Sequence, residues 1–74
     1  PEQTVQAGTW KLPKLLVDTG LAPSMGEARG LIEQGGVSID GEKHSQPSSE
    51  LTLEPDVAKL IQVGKRRFLR VRPT

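Results

Sequence analysis

The chain has 74 residues, a formal net charge of +1, no cysteine and one histidine. This length corresponds to one small domain, near the lower limit of what folds without a disulfide or a metal. The absence of cysteine excludes disulfides and thiolate metal sites and fits a reducing, cytoplasmic location. No apolar run approaches the roughly 20 residues that cross a bilayer, so no membrane partner is expected.

The basic residues are concentrated at one end of the chain. Residues 1–58 hold four basic and nine acidic residues, a balance of −5, whereas residues 59–74 hold six basic residues and no acidic one. A one-sided cluster of this kind is typical of proteins that bind phosphates. The alternative is a solvated strand face whose charge is balanced by the acidic part of the chain.

The first structured element is predicted shortly after the start of the chain. Residues 1–9 are polar and aperiodic, which predicts the remnant of a linker, and the folded domain is expected over residues 10–74. Because the chain opens on proline rather than methionine, a piece of a longer protein is expected. Leucines at helical spacing then predict a helix from about Leu12 to Thr19, ended by Gly20.

A second helix has a clear starting signal. Ser24 and Glu27 form the S-x-x-E pattern of a capping box, so the helix is predicted to begin after Ser24. Its buried stripe is expected to contain Ala28, Leu31 and Ile32, and a glycine pair ends it.

The remainder of the chain is predicted to form strands. Alternation from Val37 and the turn pair Asp40–Gly41 predict a hairpin, followed by a short strand at residues 51–53. Two further strands joined at Gly64–Lys65 complete the pattern. The fold class is therefore α+β, with two helices packed on a small, mainly antiparallel sheet of four or five strands.

Two segments of the chain resemble a known RNA-binding family. The first, residues 11–43, reads KLPKLLVDTGLAPSMGEARGLIEQGGVSIDGEK. It is similar to the two-helix and hairpin core, the αL RNA-binding motif, of the family named after small-subunit ribosomal protein four. With the ending VGKRRFLRV at residues 63–71, the match is closer still to the C-terminal domains of bacterial tyrosyl-tRNA synthetases. The resemblance covers about residues 8–72.

The resemblance implies a function for the chain and for its parent. The domain is expected to position the tRNA for tyrosine, around the variable arm and anticodon stem, for a tyrosine–tRNA ligase. The parent is expected to use ATP and Mg²⁺ and to dimerise through its catalytic domain, while this part is monomeric and holds no cofactor. No catalytic residue or metal site is expected in these 74 residues, since the sequence has no phosphate-binding glycine loop, no nucleophile–base pair and no metal-ligand cluster. The single histidine, His44, stands beside a hairpin and is expected to be a surface residue.

The residues expected to contact RNA belong to the helix pair and to the final hairpin. They are Lys11, Lys14, Ser24, Arg29, Lys65, Arg66 and Arg67. Each has an alternative role: the lysines as a solvated helix face, Ser24 as a cap, and Arg29 in an i,i+4 pair with Glu33. The two aromatic residues, Trp10 and Phe68, are expected in the core rather than stacked on bases.

Two positions depart from the family pattern, which often has basic residues where Met25 and Gly30 stand. Three consequences are open: weaker RNA affinity, transfer of the contact to other cations, or close approach of a sugar–phosphate chain to the backbone at Gly30. Two other functions also remain open. One is an RNA-binding module of a pseudouridine synthase, a ribosomal protein or a ribosome-associated protein, and the other is a structural or protein-docking domain.

Overall fold

The computed structural model describes residues 2–74, which form two helices and seven strands. In chain order these are β1 (Glu2–Val5), β2 (Gly8–Lys11), α1 (Leu12–Asp18), α2 (Met25–Glu33), β3 (Val37–Ile39), β4 (Glu42–His44), β5 (Glu50–Leu53), β6 (Lys59–Val63) and β7 (Arg67–Pro73). The α+β fold class predicted from the sequence is confirmed. Neither helix is long and apolar enough to cross a membrane.

Five of the strands form one mixed sheet in the order β1-β7-β6-β3-β4. Only the β1–β7 pair is parallel, so the predicted, mainly antiparallel sheet is confirmed. The other two strands, β2 and β5, pair antiparallel as a separate ribbon. The turn between β3 and β4 has positive φ at both Asp40 (51°) and Gly41 (86°), the geometry of a type I′ turn that the Asp-Gly pair predicts.

Both helices end in the same hydrogen-bonded motif. After α1, the Gly20 N–H donates to the Val17 carbonyl at 3.0 Å and the Leu21 N–H donates to the Leu16 carbonyl at 2.9 Å. These two bonds define a Schellman motif, which needs a left-handed residue, and Gly20 has a φ of 80°. α2 ends in the same way at Gly35. The signals read from the sequence therefore locate both helix ends, with α1 ending one residue earlier than predicted.

The hydrophobic core lies between the two helices and one face of the five-stranded sheet. The helices contribute Leu12, Leu15, Leu16, Ala28 and Ile32, all of which are buried. The sheet contributes every second residue of β3, β6 and β7, whose side chains point towards the helices. These are Val37, Ile39, Ile61, Val63, Leu69 and Val71. Since no polar or charged side chain of residues 2–74 is buried, every cation of this part of the chain lies at the surface.

The structure corrects the prediction of a linker over residues 1–9; Pro1 itself lies outside the described residues. Glu2–Val5 form β1, which pairs in parallel with β7, and the ribbon strand β2 begins at Gly8. Between them, the Ala7 N–H donates to the Thr74 carbonyl at 3.0 Å. The pairing depends on backbone hydrogen bonds to the far end of the chain, so the polar side chains of this segment give no local signal for it.

The structure also corrects the prediction that Phe68 is a core residue. Leu69 and Val71 face the helices, and successive side chains of a strand point to opposite faces. Phe68 therefore points away from the core and is 46% exposed. Trp10, in contrast, packs against the core, and its indole N–H donates to the Gln6 carbonyl at 2.8 Å.

Candidate nucleic-acid interface

The start of α2 is fixed by its predicted cap. The Ser24 hydroxyl accepts a hydrogen bond from the Glu27 N–H at 3.3 Å, and Ser24 has extended backbone angles. This bond is one half of the capping box, and it satisfies one of the free donors of the first turn. Ser24 itself is exposed, so the first turn of α2 is accessible from solvent.

On one flank of α2 lies a surface hollow that we call the helix cleft. Its lining consists of Lys11, Pro13, Met25, Arg29, Pro47 and Ser48, and its volume is about 330 Å³. Lys11 stands at the junction of β2 and α1, and Arg29 stands on α2, so two elements bring these cations to one place. No salt bridge found in residues 2–74 involves either of them, and the alternative pairing of Arg29 with Glu33 is not formed.

Lys14 lies apart from this cleft. Its Nζ is 3.8 Å from Asp18 Oδ2, an i,i+4 pair along α1. Its side chain borders a different hollow, formed by residues 6–10. The sequence groups Lys14 with Arg29, but in the fold the two residues border different hollows. Lys14 is nevertheless exposed.

On the opposite flank of α2 lies a second hollow, which we call the hairpin groove. The β6–β7 turn contributes the cations Lys65, Arg66 and Arg67. The α2 side contributes Glu27 and Leu31, and the groove has a volume of about 700 Å³. All three hairpin residues predicted to contact RNA thus share one surface with α2.

Hydrogen bonds attach the β6–β7 hairpin to the chain on both sides of α2. The Arg67 guanidinium donates to the Leu21 carbonyl at 3.2 Å, just before the helix, and the Gly64 N–H donates to the Gly36 carbonyl at 2.7 Å, just after it. These contacts join residues that are distant in sequence, and no local pattern indicates them. They give Arg67 a structural role that sequence reasoning missed.

The exposed ridge of α2 between the two hollows has no side chain at two positions, Gly26 and Gly30, while the exposed Glu33 lies on the same side of the helix. Ala28 and Ile32 are buried. Gly30 is two residues away from each of them, about 200° around the helix axis, so it lies on the side of α2 that is opposite the core. Gly26 lies one turn before Gly30 on the same side. A Cβ atom added at either glycine would meet nothing within 4 Å, so the backbone of this ridge is open to a close approach.

The fold and these surfaces define a small α+β domain that carries cations on both flanks of one exposed helix. Residues 1–71 match the model of the tyrosine–tRNA ligase SYY-like C-terminal domain, and the chain belongs to this family. This result selects the synthetase resemblance over the pseudouridine-synthase and ribosomal alternatives.

Individual relatives agree with the family model. The chain is 45% identical over 71 residues to a tyrosine–tRNA ligase of Moorella thermoacetica, covering 96% of the chain and 17% of the relative. It is 50% identical over 58 residues to that of Symbiobacterium thermophilum, covering 78% of the chain and 14% of the relative. It is 51% identical over 59 residues to the tyrosine–tRNA ligase of Oleidesulfovibrio alaskensis, covering 80% of the chain and 14% of the relative. The chain therefore spans less than a fifth of the length of these relatives.

Proposed function

We propose that the chain is an RNA-binding domain appended to a tyrosine–tRNA ligase, and that it positions the tRNA for tyrosine during aminoacylation. The observation that carries this proposal is the presence of basic hollows on both flanks of α2, in a domain of this family. Structured RNA presents phosphates on both sides of a groove, and this arrangement suits two cationic surfaces that lie on opposite flanks of one helix.

The chemistry of the surface supports phosphate binding without base recognition. Lys11 and Arg29 supply positive charge in the helix cleft, and the nearby N-terminus of α2 adds a partial positive charge. Phosphate contacts fix the register and orientation of a nucleic acid but carry no sequence information directly. The domain would therefore hold and orient the RNA, and other parts of the parent protein would recognise which tRNA is bound.

In this proposal the parent protein divides the work between its parts. A catalytic region outside these 74 residues would bind tyrosine, ATP and Mg²⁺ and would form the homodimer. The C-terminal domain would hold the variable arm and the anticodon stem, so that the acceptor end reaches the distant active site. Correct positioning lowers the entropic part of the barrier, which is where such a domain contributes to the rate.

The experiment that tests the proposal is a salt titration of tRNA binding. With the 74-residue chain and a tyrosine tRNA transcript, log affinity should fall linearly with log salt, with a slope of about 0.7–0.9 for each phosphate contact. The variant Lys11→Ala/Arg29→Ala should reduce that slope by roughly 1.4–1.8, because two contacts are lost. A slope near zero, or a slope that this variant leaves unchanged, would contradict phosphate binding in the helix cleft.

A further inference from the structure

The outer face of the five-stranded sheet, on the side away from the helices, is apolar at its centre. Phe68 on β7 is 46% exposed and Leu60 on β6 is 38% exposed. Single exposed apolar residues are common, but a contiguous apolar patch with polar residues around it indicates an interaction surface.

The strand register places polar groups around these two side chains. Leu60 is paired with Arg70 and Arg70 with Glu2, while Phe68 is paired with Gln62. Residues paired across antiparallel strands share a face, and diagonal neighbours are about 7–8 Å apart. Glu2, Leu60, Phe68 and Arg70 line one hollow of about 460 Å³ on this face.

The charge of the face is positive. Arg70 and Arg72 follow Phe68 at two-residue steps along β7 and therefore share its face. The Arg72 guanidinium donates to Glu2 at 3.4 Å, whereas Arg70 takes part in no salt bridge within residues 2–74. Because burying such cations against an apolar protein surface is costly, the face suits a polyanion with flat apolar groups.

We propose that this outer face binds an unpaired segment of RNA, with a nucleobase stacked on Phe68 and a neighbouring phosphate held by Arg70. An aromatic ring beside cations is the arrangement by which proteins bind single-stranded nucleic acid, since every base offers a π-face. The inference rests on the proposed function and extends it to a second surface. The helix pair holds paired RNA by its phosphates, and the sheet holds bases that are free of pairing.

The test compares two labelled probes of equal charge: an eight-nucleotide adenine RNA and an eight-unit abasic backbone. The 74-residue chain should bind the adenine RNA more tightly, since only that probe can stack. Phe68→Ala should weaken adenine RNA binding by about 5- to 150-fold and leave abasic binding unchanged. Phe68→Trp should keep the affinity, and Phe68→Leu should lose it although it remains apolar.

Two further measurements separate stacking from charge and from general disturbance. Phe68→Ala should lower the affinity without changing the salt slope, whereas Arg70→Ala should reduce the slope by about 0.7. Val57→Ala is the matched control, because Val57 is a similarly exposed apolar residue (42%) in the loop between β5 and β6. It should leave the binding of both probes unchanged.

Several outcomes would overturn the inference. Equal binding of the two probes, or full affinity in either Phe68→Ala or Phe68→Leu, would show that no base stacks on the ring. Sedimentation of a dimer that Phe68→Ala dissociates would assign the face to a second copy of the chain. If the chain binds the tyrosine tRNA with the expected salt slope but fails these tests, only this inference is lost. If it binds neither the tRNA nor the oligonucleotide, the proposed function is lost as well.

Discussion

The helix cleft and the hairpin groove lie on opposite flanks of α2 and have different numbers of cations but the same net charge. The cleft is lined by two cations, Lys11 and Arg29, and by no carboxylate. The groove is lined by three cations, but Glu27 lies among them and brings its formal charge to +2 as well. The cluster that is most conspicuous in the sequence is therefore no stronger in net charge than the pair that the fold assembles.

The two surfaces differ in what holds their cations. Arg29 rises from the middle of a regular helix, and Met25 of the same cleft lies at the α2 N-terminus, whose dipole adds to the positive field. The cations of both surfaces are exposed, but Lys65 and Arg66 stand in a turn, whose backbone is less constrained than a helix, so binding has more freedom to remove there. Arg67 already donates to the Leu21 carbonyl, which leaves less of its guanidinium for a phosphate. At equal charge, we therefore expect the helix cleft to contribute more to RNA affinity.

The largest expected effect comes from reversing charge on one surface at a time. Lys11→Glu/Arg29→Glu and Lys65→Glu/Arg66→Glu each change the formal charge by −4, because each substitution replaces a cation by an anion. The first pair should lower tRNA affinity by roughly 10- to 100-fold, and the second by less, in a titration at fixed salt. Equal losses would mean that only the overall charge matters. A greater loss in the hairpin pair would reverse the ranking of the two surfaces.

The next effect is on stability, at the helix that separates the two surfaces. Ser24→Ala should lower the free energy of unfolding by about 1 kcal/mol, because the Glu27 N–H loses its acceptor. Thermal or urea unfolding measures this, with Ser45→Ala, an exposed loop serine, as the control that should change little. The first turn borders both surfaces, because Met25 lines the helix cleft and Glu27 lines the hairpin groove, so any effect of the lost cap on binding should reach both.

A slightly smaller effect is expected on the exposed ridge of α2. Gly30→Ala should raise the free energy of unfolding by up to about 1 kcal/mol, because alanine favours the helix and the added Cβ has open space. The same variant distinguishes two consequences of glycine at this position. Weaker tRNA binding by the more stable protein would indicate close approach of a sugar–phosphate chain. Unchanged binding, with a gain of affinity in Gly30→Arg, would indicate a cation that this chain lacks.

The smallest effect is expected at Lys14. Its Nζ lies near Asp18 Oδ2, and the two side chains are 61% and 42% exposed, so the pair contributes little to stability. Lys14→Ala should change tRNA affinity less than Lys11→Ala, measured side by side in the same titration. A larger loss at Lys14 would extend the RNA surface from the helix cleft towards residues 6–10.

Much of the fold follows from short-range signals in the sequence. The cap at Ser24, the left-handed glycines after both helices and the Asp40–Gly41 turn depend on a few neighbouring residues. Hydrophobic alternation along residues 67–72 likewise places Phe68 on the face opposite Leu69 and Val71, where the structure has it. The general tendency of aromatic residues to be buried predicts the opposite position for Phe68. In this strand the alternation of side chains decides.

The tertiary structure alone decided which residues meet across long stretches of chain. The parallel pairing of β1 with β7 joins the two ends of the chain through backbone hydrogen bonds, which side-chain patterns do not specify. The Arg67–Leu21 contact and the meeting of Lys11 with Arg29 depend on how the helices pack on the sheet. The sequence by itself determined both helices, the strands from β3 onward and the supply of cations, whereas β1 and β2 were not predicted from it. The grouping of those cations into two surfaces came only with the packing of the core, because proximity between distant residues is a property of the whole fold.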